Sequence, residues 1–229
     1  MVDITLFGSR LSPFVEKVAR ALSLKGLPFR AVDLKSPLDL RRWNRVTGKM
    51  PVLEIDGERV WDSTFILRRL DALRPEPPLF AADAATAAAQ RLLEDWSDEA
   101  LYWYVMALRW TPRNAAATTA QITQGAPAML RPLLAPIISR QIGRMPRVQG
   151  LGRLPYEVLV REVEERFDDL VVVLGPHPFF YAERPSAADL AVYGQLHCGC
   201  SGPTPDFAAR VAARPTLAAF VRRVEAAAP

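Results

Sequence analysis

Residues 44–64 read NRVTGKMPVLEIDGERVWDST, and their reading decides the fold. PVLEI (51–55) and RVW (59–61) are short strand-like runs. Asp56-Gly57 between them is a strong signal for a two-residue hairpin, because such turns need positive φ at their centre. Lys49-Met50-Pro51 leads from a loop into the first strand. A proline cannot donate to a sheet ladder, so it belongs at the start of the strand. It also suits a cis bond that would turn the backbone N–H and C=O of Met50 toward a ligand. Asp62-Ser63 then opens a helix over 64–73.

Upstream, DITLF (3–7) reads as a strand. Ser12-Pro13 opens a helix, with Ser as N-cap and Pro at the first helical position. Phe14, Val18, Leu22 and Leu24 give that helix an apolar face, and Gly26 ends it. FRAVDL (29–34) alternates as a strand does, and 38–46 reads as a short helix. The order is β-α-β-α-β-β-α. Pro75, Pro77 and Pro78 mark a linker, and helical signals dominate after it. Residues 84–110 read as one long helix, 156–174 as an amphipathic helix, 186–197 as a helix with a capping box at Ser186 and Asp189, and about 216–227 as a last helix. The stretch 111–155 is broken by prolines and glycines, so it carries separate segments and no single helix. The expected architecture is a small α/β unit over 1–76 followed by an all-α unit over 84–229.

Half of the 229 residues are hydrophobic and 24% are charged. That composition fits a globular chain with a sizeable core and excludes disorder. Two cysteines, Cys198 and Cys200, cannot staple a chain of this length. The N-terminus lacks the apolar run of a signal peptide, and no stretch is long and apolar enough for a membrane span. A cytoplasmic location is expected. The formal charge is +4, with 25 Arg and only 4 Lys. Most of the excess lies in 111–160, which holds six Arg against one Glu. Aromatic interleaving there is limited to Tyr156, so a nucleic-acid groove is not expected.

Three features fall at chemically useful places: Ser12-Pro13-Phe14 after the first strand, Lys49-Met50-Pro51 before the third, and Asp62-Ser63 after the hairpin. A helix start offers unpaired N–H groups and the positive end of a dipole. A Ser hydroxyl there can donate to a thiolate and lower the pKa of the thiol. The helix start at Ser63 can hold a carboxylate, and Asp62 can hold an ammonium group. Each feature alone also reads as a plain cap or a strand-edge proline. Their co-occurrence in one β-α-β-α-β-β-α unit followed by helices is far more specific.

With these motifs in place, the chain resembles the cytosolic glutathione S-transferases over nearly its whole length. SPFVEKVARALSLKGLPF (12–29) is similar to the active-site helix of the serine-type members, the plant tau class above all; omega-class members carry Cys in place of Ser12. LKSPLDL (34–40) is also tau-like, and NRVTGKMPVLEIDGERVWDST matches the signature stretch of the family. ERPSAADLAVY (183–193) resembles its C-terminal capping box. The second half, through GAPAMLRPLLAPIISRQIGRMPRVQGLGR (125–153) and PHPFFYAERPSAADLAVYGQLH (176–197), looks nearer the metaxin and failed-axon-connections branch.

The resemblance implies the glutathione S-transferase fold, a thioredoxin-like α/β domain joined to an all-helical one. It implies glutathione as co-substrate, with Ser12 as the catalytic hydroxyl stabilising its thiolate. Met50, before a cis Pro51, would pair its backbone with the cysteinyl unit. Asp62 and Ser63 would hold the γ-glutamyl end, and Lys35 and Lys49 would reach the glycine carboxylate. The electrophilic acceptor would be lined by Phe14, Tyr102, Trp103, Met106 and Arg109, although core packing for the aromatics and a surface ion pair for Arg109 are the plainer readings. Peroxidase or isomerase side activity stays open, and so does a non-catalytic scaffolding role, which the unusual 111–155 stretch favours. That stretch either covers the cleft or lies on the surface. No metal site is expected from His197-Cys198-Gly199-Cys200, which lacks a fourth ligand; its cysteines read as free. The family implies a homodimer. The α/β unit of one chain would dock on the helical unit of the other: apolar Val60, Trp61, Phe65 and Leu67 of the basic first unit would face the small-residue start of the long helix and its acidic run Glu94, Asp95, Asp98, Glu99.

Overall fold

The register of four short strands sets the layout. In the computed structural model, which describes residues 2–229, β1 (Ile4–Phe7), β2 (Arg30–Val32), β3 (Val52–Ile55) and β4 (Glu58–Trp61) form one sheet in the order β2-β1-β3-β4. β1 and β2 are parallel, and β3 runs antiparallel to both β1 and β4. The hairpin turn is the expected one, with Asp56 and Gly57 at φ 49° and 87°. β2 is half the length of the expected strand: Arg30 and Ala31 are exposed, so only the centre of FRAVDL pairs.

Alternation along β1 and β3 splits the side chains between two layers. Ile4, Leu6, Leu53 and Ile55 point to the main core, shared with α1 (Pro13–Leu24) and α3 (Ser63–Leu73). Phe7 and Val52 meet Trp43, from α2 (Pro37–Trp43), on the other face; the Phe7 and Trp43 rings are 5.3 Å apart. The connection to the helices is fixed rather than loose. Leu79 is buried, its N–H donates to Asp71, and its carbonyl accepts from the N–H of Ala187.

The rest is helical: α4 (Ala84–Trp96), α5 (Tyr102–Arg109), α6 (Ala115–Thr123), α7 (Arg131–Ile142), α8 (Met145–Gln149), α9 (Tyr156–Leu174), α10 (Ala187–Cys200), α11 (Pro205–Ala212) and α12 (Pro215–Ala227). The expected single helix over 84–110 is interrupted. A π-helical turn at Ser97–Leu101 separates α4 from α5 and widens the spiral by one residue. α10 is buried on every side and is the axis of the helical unit. Its start is held as the sequence suggested: the Asp189 carboxylate accepts from the N–H and hydroxyl of Ser186 and from the N–H of Phe180. No helix among the described residues is long and apolar enough to cross a membrane.

Candidate active site

Phe7 pairs with Val52, Val52 with Trp61, and Phe7 in parallel with Val32. Everything that follows β1, precedes β3, follows β4 or follows β2 therefore gathers at one end of the sheet. Ser12, Met50-Pro51, Asp62-Ser63 and Lys35 all lie at that end, although 51 residues separate Ser12 from Ser63 in the chain.

Ser12 is the N-cap residue of α1 with extended backbone, and its side chain makes no capping bond. Its hydroxyl is thus left free at the positive end of a 12-residue helix. The Met50–Pro51 bond is cis, as the sequence suggested, and β3 starts only at Val52, so Met50 lies outside the ladder. Met50 is tied to the start of α1 through Ser9, whose N–H lies 3.4 Å from the Met50 sulfur and whose carbonyl accepts from the N–H of Ser12 at 2.9 Å. Buried Asn44 shapes the approach to this bond. Its Oδ1 accepts from the amides of Val46 and Thr47, and its Nδ2 donates to the carbonyl of Lys49.

Asp62, not Ser63, is the N-cap of α3. It sits at φ 74°, and its Oδ1 accepts from the amide of Thr64 at 3.0 Å. The other carboxylate oxygen stays available to a ligand. Ser63 is buried, with its hydroxyl 3.5 Å from the Lys17 amine. Lys35 and Lys49 are exposed, each with its backbone N–H held by a neighbouring side chain, and no contact joins either to Ser12 among the described residues.

On the acceptor side, Phe14, Tyr102 and Trp103 form a chain of rings, 5.0 Å and 5.1 Å between successive centroids. Met106 and Arg109 lie one and two turns further along α5, and both are buried. Burial pushes the Tyr102 hydroxyl pKa up against the pull of Arg109. Arg109 is buried, and among the described residues it makes none of the surface ion pairs expected for it. Its guanidinium is buried and donates to Gln121 at 2.8 Å, and its Nε has no partner among the described residues. Burial lowers its pKa, offset by Cys198 and Tyr102. The two cysteines are unpaired, and burial pushes their thiols up, Cys198 to about 12 and Cys200 to about 11, the reverse of activation. The described residues hold no cluster with the makings of a metal site.

One constellation escaped the sequence reading. Lys17, on the second turn of α1, is 1% exposed and lies 2.7 Å from both Glu94 and Asp98. Thr64 donates to the same Glu94 oxygen at 2.9 Å. A single buried cation thus joins α1, the start of α3 and the α4–α5 junction directly behind Asp62-Ser63. Glu94 and Asp98 were expected on a solvated or dimer-facing surface; they are internal because Lys17 neutralises them. The only sequence signal was their i, i+4 spacing, which a solvated face shows equally. Nearer Ser12, buried Glu16 is held between Arg10 and Arg20. Burial raises its pKa, but the two guanidiniums outweigh that and keep it below the usual range.

Comparison with known proteins adds to this geometry. Residues 6–78 match the family described as "Glutathione S-transferase, N-terminal domain". Among curated proteins, glutathione transferase GST 23 of Zea mays is 37% identical over 109 residues, 43% of this chain and 48% of the relative. The chain spans less than half the length of the curated relatives it matches. Solved structures cover it almost completely. The β-etherase LigF of Sphingobium sp. strain SYK-6 aligns at TM-score 0.72 and 25% identity over 97% of this chain and 95% of that one. A tau-class glutathione S-transferase of mango, Mangifera indica, aligns at 0.66 and 19% over 99% and 93%. The fold is therefore that of the glutathione S-transferases, a thioredoxin-like sheet domain with a helical domain after it.

Proposed function

We propose that this chain is a serine-type glutathione S-transferase that activates the glutathione thiol for attack on an electrophilic small molecule. The observation that carries the reading is the convergence of Ser12, Met50-cis-Pro51 and Asp62 on one sheet end, with the Ser12 hydroxyl free at the helix start. In this reading the Met50 backbone pairs with the cysteinyl unit. The free Asp62 oxygen and the start of α3 at Ser63 hold the γ-glutamyl end, and Lys35 and Lys49 supply positive charge for the glycine carboxylate.

The thiol proton passes to solvent. The Ser12 O–H and the first amides of α1 then stabilise the thiolate, and Glu16 does not oppose it, because Arg10 and Arg20 neutralise that carboxylate. The sulfur attacks the acceptor carbon, a C–S bond forms, and the leaving group departs with the bonding pair. Phe14, Tyr102 and Trp103 favour a planar aromatic acceptor with Met106 beside it, and buried Arg109 favours one that carries negative charge. The likeness to a β-etherase supports an aryl ether as one such acceptor, the leaving group then being an alkoxide or phenoxide. The protein acts as a homodimer.

Calorimetry with glutathione, followed by turnover of a chlorodinitrobenzene acceptor, tests the reading. Glutathione should bind below millimolar. Ser12→Ala should keep binding but lose roughly 10- to 1000-fold in turnover at saturating glutathione, the range for loss of one electrostatic donor. Unchanged turnover would remove Ser12 from the mechanism. Failure of the parent chain to bind glutathione would favour the non-catalytic, scaffolding reading instead.

A further inference from the structure

The basic stretch that follows α5 has no part in the chemistry above. Residues 124–154 contain five arginines and no aspartate or glutamate. Their centre is α7, led in by a 3₁₀ turn at Ala128–Leu130. α7 packs against α6, and none of its residues is fully buried. Leu134, Ile138 and Ile142 are half-buried at a spacing of one turn and form the side turned to α6. Met129, Leu133 and Ile137 repeat at the same spacing, but they stand out of the surface, 82%, 66% and 51% exposed.

The charges around this apolar ridge are all of one sign. Arg140 and Arg144 continue it by the next two turns; both are exposed, and neither forms an ion pair among the described residues. Arg131 is held at the helix start by its bonds to the carbonyls of Gln124 and Ala126. An aliphatic ridge exposed over this length and bordered by polar groups marks a contact surface. A second copy of the chain does not suit it, because a two-fold axis would set arginine against arginine. A protein partner would need a groove shaped to the ridge, whereas a bilayer interface deforms around it.

We propose that the outward face of α7, with the 3₁₀ turn before it, docks on the headgroup layer of a bilayer that contains anionic lipid. The headgroups supply the negative charge that 124–154 lacks, and Met129, Leu133 and Ile137 reach the acyl boundary beneath them. None of the residues placed in the Ser12 site belongs to this face, so the proposal does not depend on what that site binds.

Flotation of the full chain with phosphatidylcholine vesicles, with and without about 30% phosphatidylserine, tests this. The chain should float with the anionic vesicles, stay behind with the neutral ones, and bind severalfold more weakly at about 0.5 M salt. Arg140→Ala with Arg144→Ala should weaken binding about 10- to 30-fold, at roughly fivefold for each arginine near an anionic surface. Leu133→Glu with Ile137→Glu should remove it. All four side chains are exposed, so circular dichroism should show an intact fold. Met129→Trp gives an independent reading: anionic vesicles should shift its emission to the blue, and brominated acyl chains should quench it. No binding to anionic vesicles, equal binding to neutral ones, or undiminished binding by both double variants would overturn the proposal. So would retention on polyglutamate as strong as on the vesicles, which would give the face to an acidic polypeptide. A lower mass for the glutamate double variant in lipid-free light scattering would give it to a second copy instead, and overturn the proposal as well.

Discussion

The four lysines divide into two pairs with opposite fates. Lys35 and Lys49 are exposed at the candidate glutathione end, where the sequence reading put them. Lys17 and Lys25 are both 1% exposed, the first on Glu94 and Asp98, the second on Asp71 and the carbonyls of Arg74 and Pro77. Nothing local marks a buried lysine: Lys17 sits on a helix whose partners are 77 and 81 residues away. The Lys17 cluster has a titration consequence. Asp98 is pushed up to about 6, first by burial, with Glu94 and Asp62 adding to it and Lys17 opposing. The folded state therefore binds this proton more tightly than the unfolded chain, whose pKa is near 3.8. The resulting stabilisation is complete below about pH 4 and is lost as pH rises through about 6. Asp98→Asn removes that dependence and leaves Glu94 as counter-ion to Lys17. Urea unfolding at about pH 4.5 and pH 7 should show the parent losing roughly 1–3 kcal/mol more than the variant over that interval. Parallel profiles would mean that Asp98 is ionised throughout.

At the scale of elements, the hairpin, α1, α3, α9 and the capped start of α10 were all legible, because each carries its own turn or cap signal. The stretch 111–155 is broken into separate helical segments, as its prolines and glycines suggest. Four of its six prolines stand at segment starts, Pro127 and Pro155 just before the 3₁₀ turn at Ala128–Leu130 and α9, Pro132 and Pro146 in the first turns of α7 and α8; outside the stretch, Pro205 and Pro215 do the same for α11 and α12. Only Pro136 lies inside a helix. Close approach between elements was not legible at all. α10 crosses the first turn of α1 at Gly194, where a Cβ would lie 2.6 Å from the carbonyl oxygen of Pro13. A carbonyl in a helix cannot rotate away, so the glycine is what lets α10 support the start of α1, one residue from Ser12. Gly194→Ala gains helix propensity of about 1 kcal/mol, but the clash should exceed it and give a net loss of roughly 1–2 kcal/mol. Turnover should fall with it, since Ser12 shifts with Pro13. A variant as stable and as active as the parent would show that α1 yields at no cost.

The surfaces left to join two copies of the chain are set by what the Lys17 cluster takes inside. The sequence suggested that a basic first unit docks on an acidic helix, but Glu94 and Asp98 are spent on Lys17, which leaves Asp95 and Glu99 exposed. Leu67, offered as a contact, is fully buried in the core of its own unit. What remains is smaller and more apolar. Trp61 and Phe65 are 36% and 54% exposed on the sheet domain, and Leu92 is 70% exposed on α4. Arg68 lies over the Phe65 ring, so a cation accompanies the apolar patch on one unit while Asp95 and Glu99 accompany it on the other. Two copies related by a two-fold axis can satisfy both patches at once and close the assembly, with the charges setting orientation more than strength. Light scattering at about 10 μM should therefore give twice the monomer mass, an affinity below that concentration being ordinary for a patch anchored by aromatics. Phe65→Glu should return the monomer, because it places a carboxylate in the apolar centre opposite Asp95 and Glu99. Arg68→Ala should slow association and weaken its salt dependence without abolishing the dimer. A monomer mass for the parent, or a dimer untouched by Phe65→Glu, would put the interface elsewhere on the molecule or deny it.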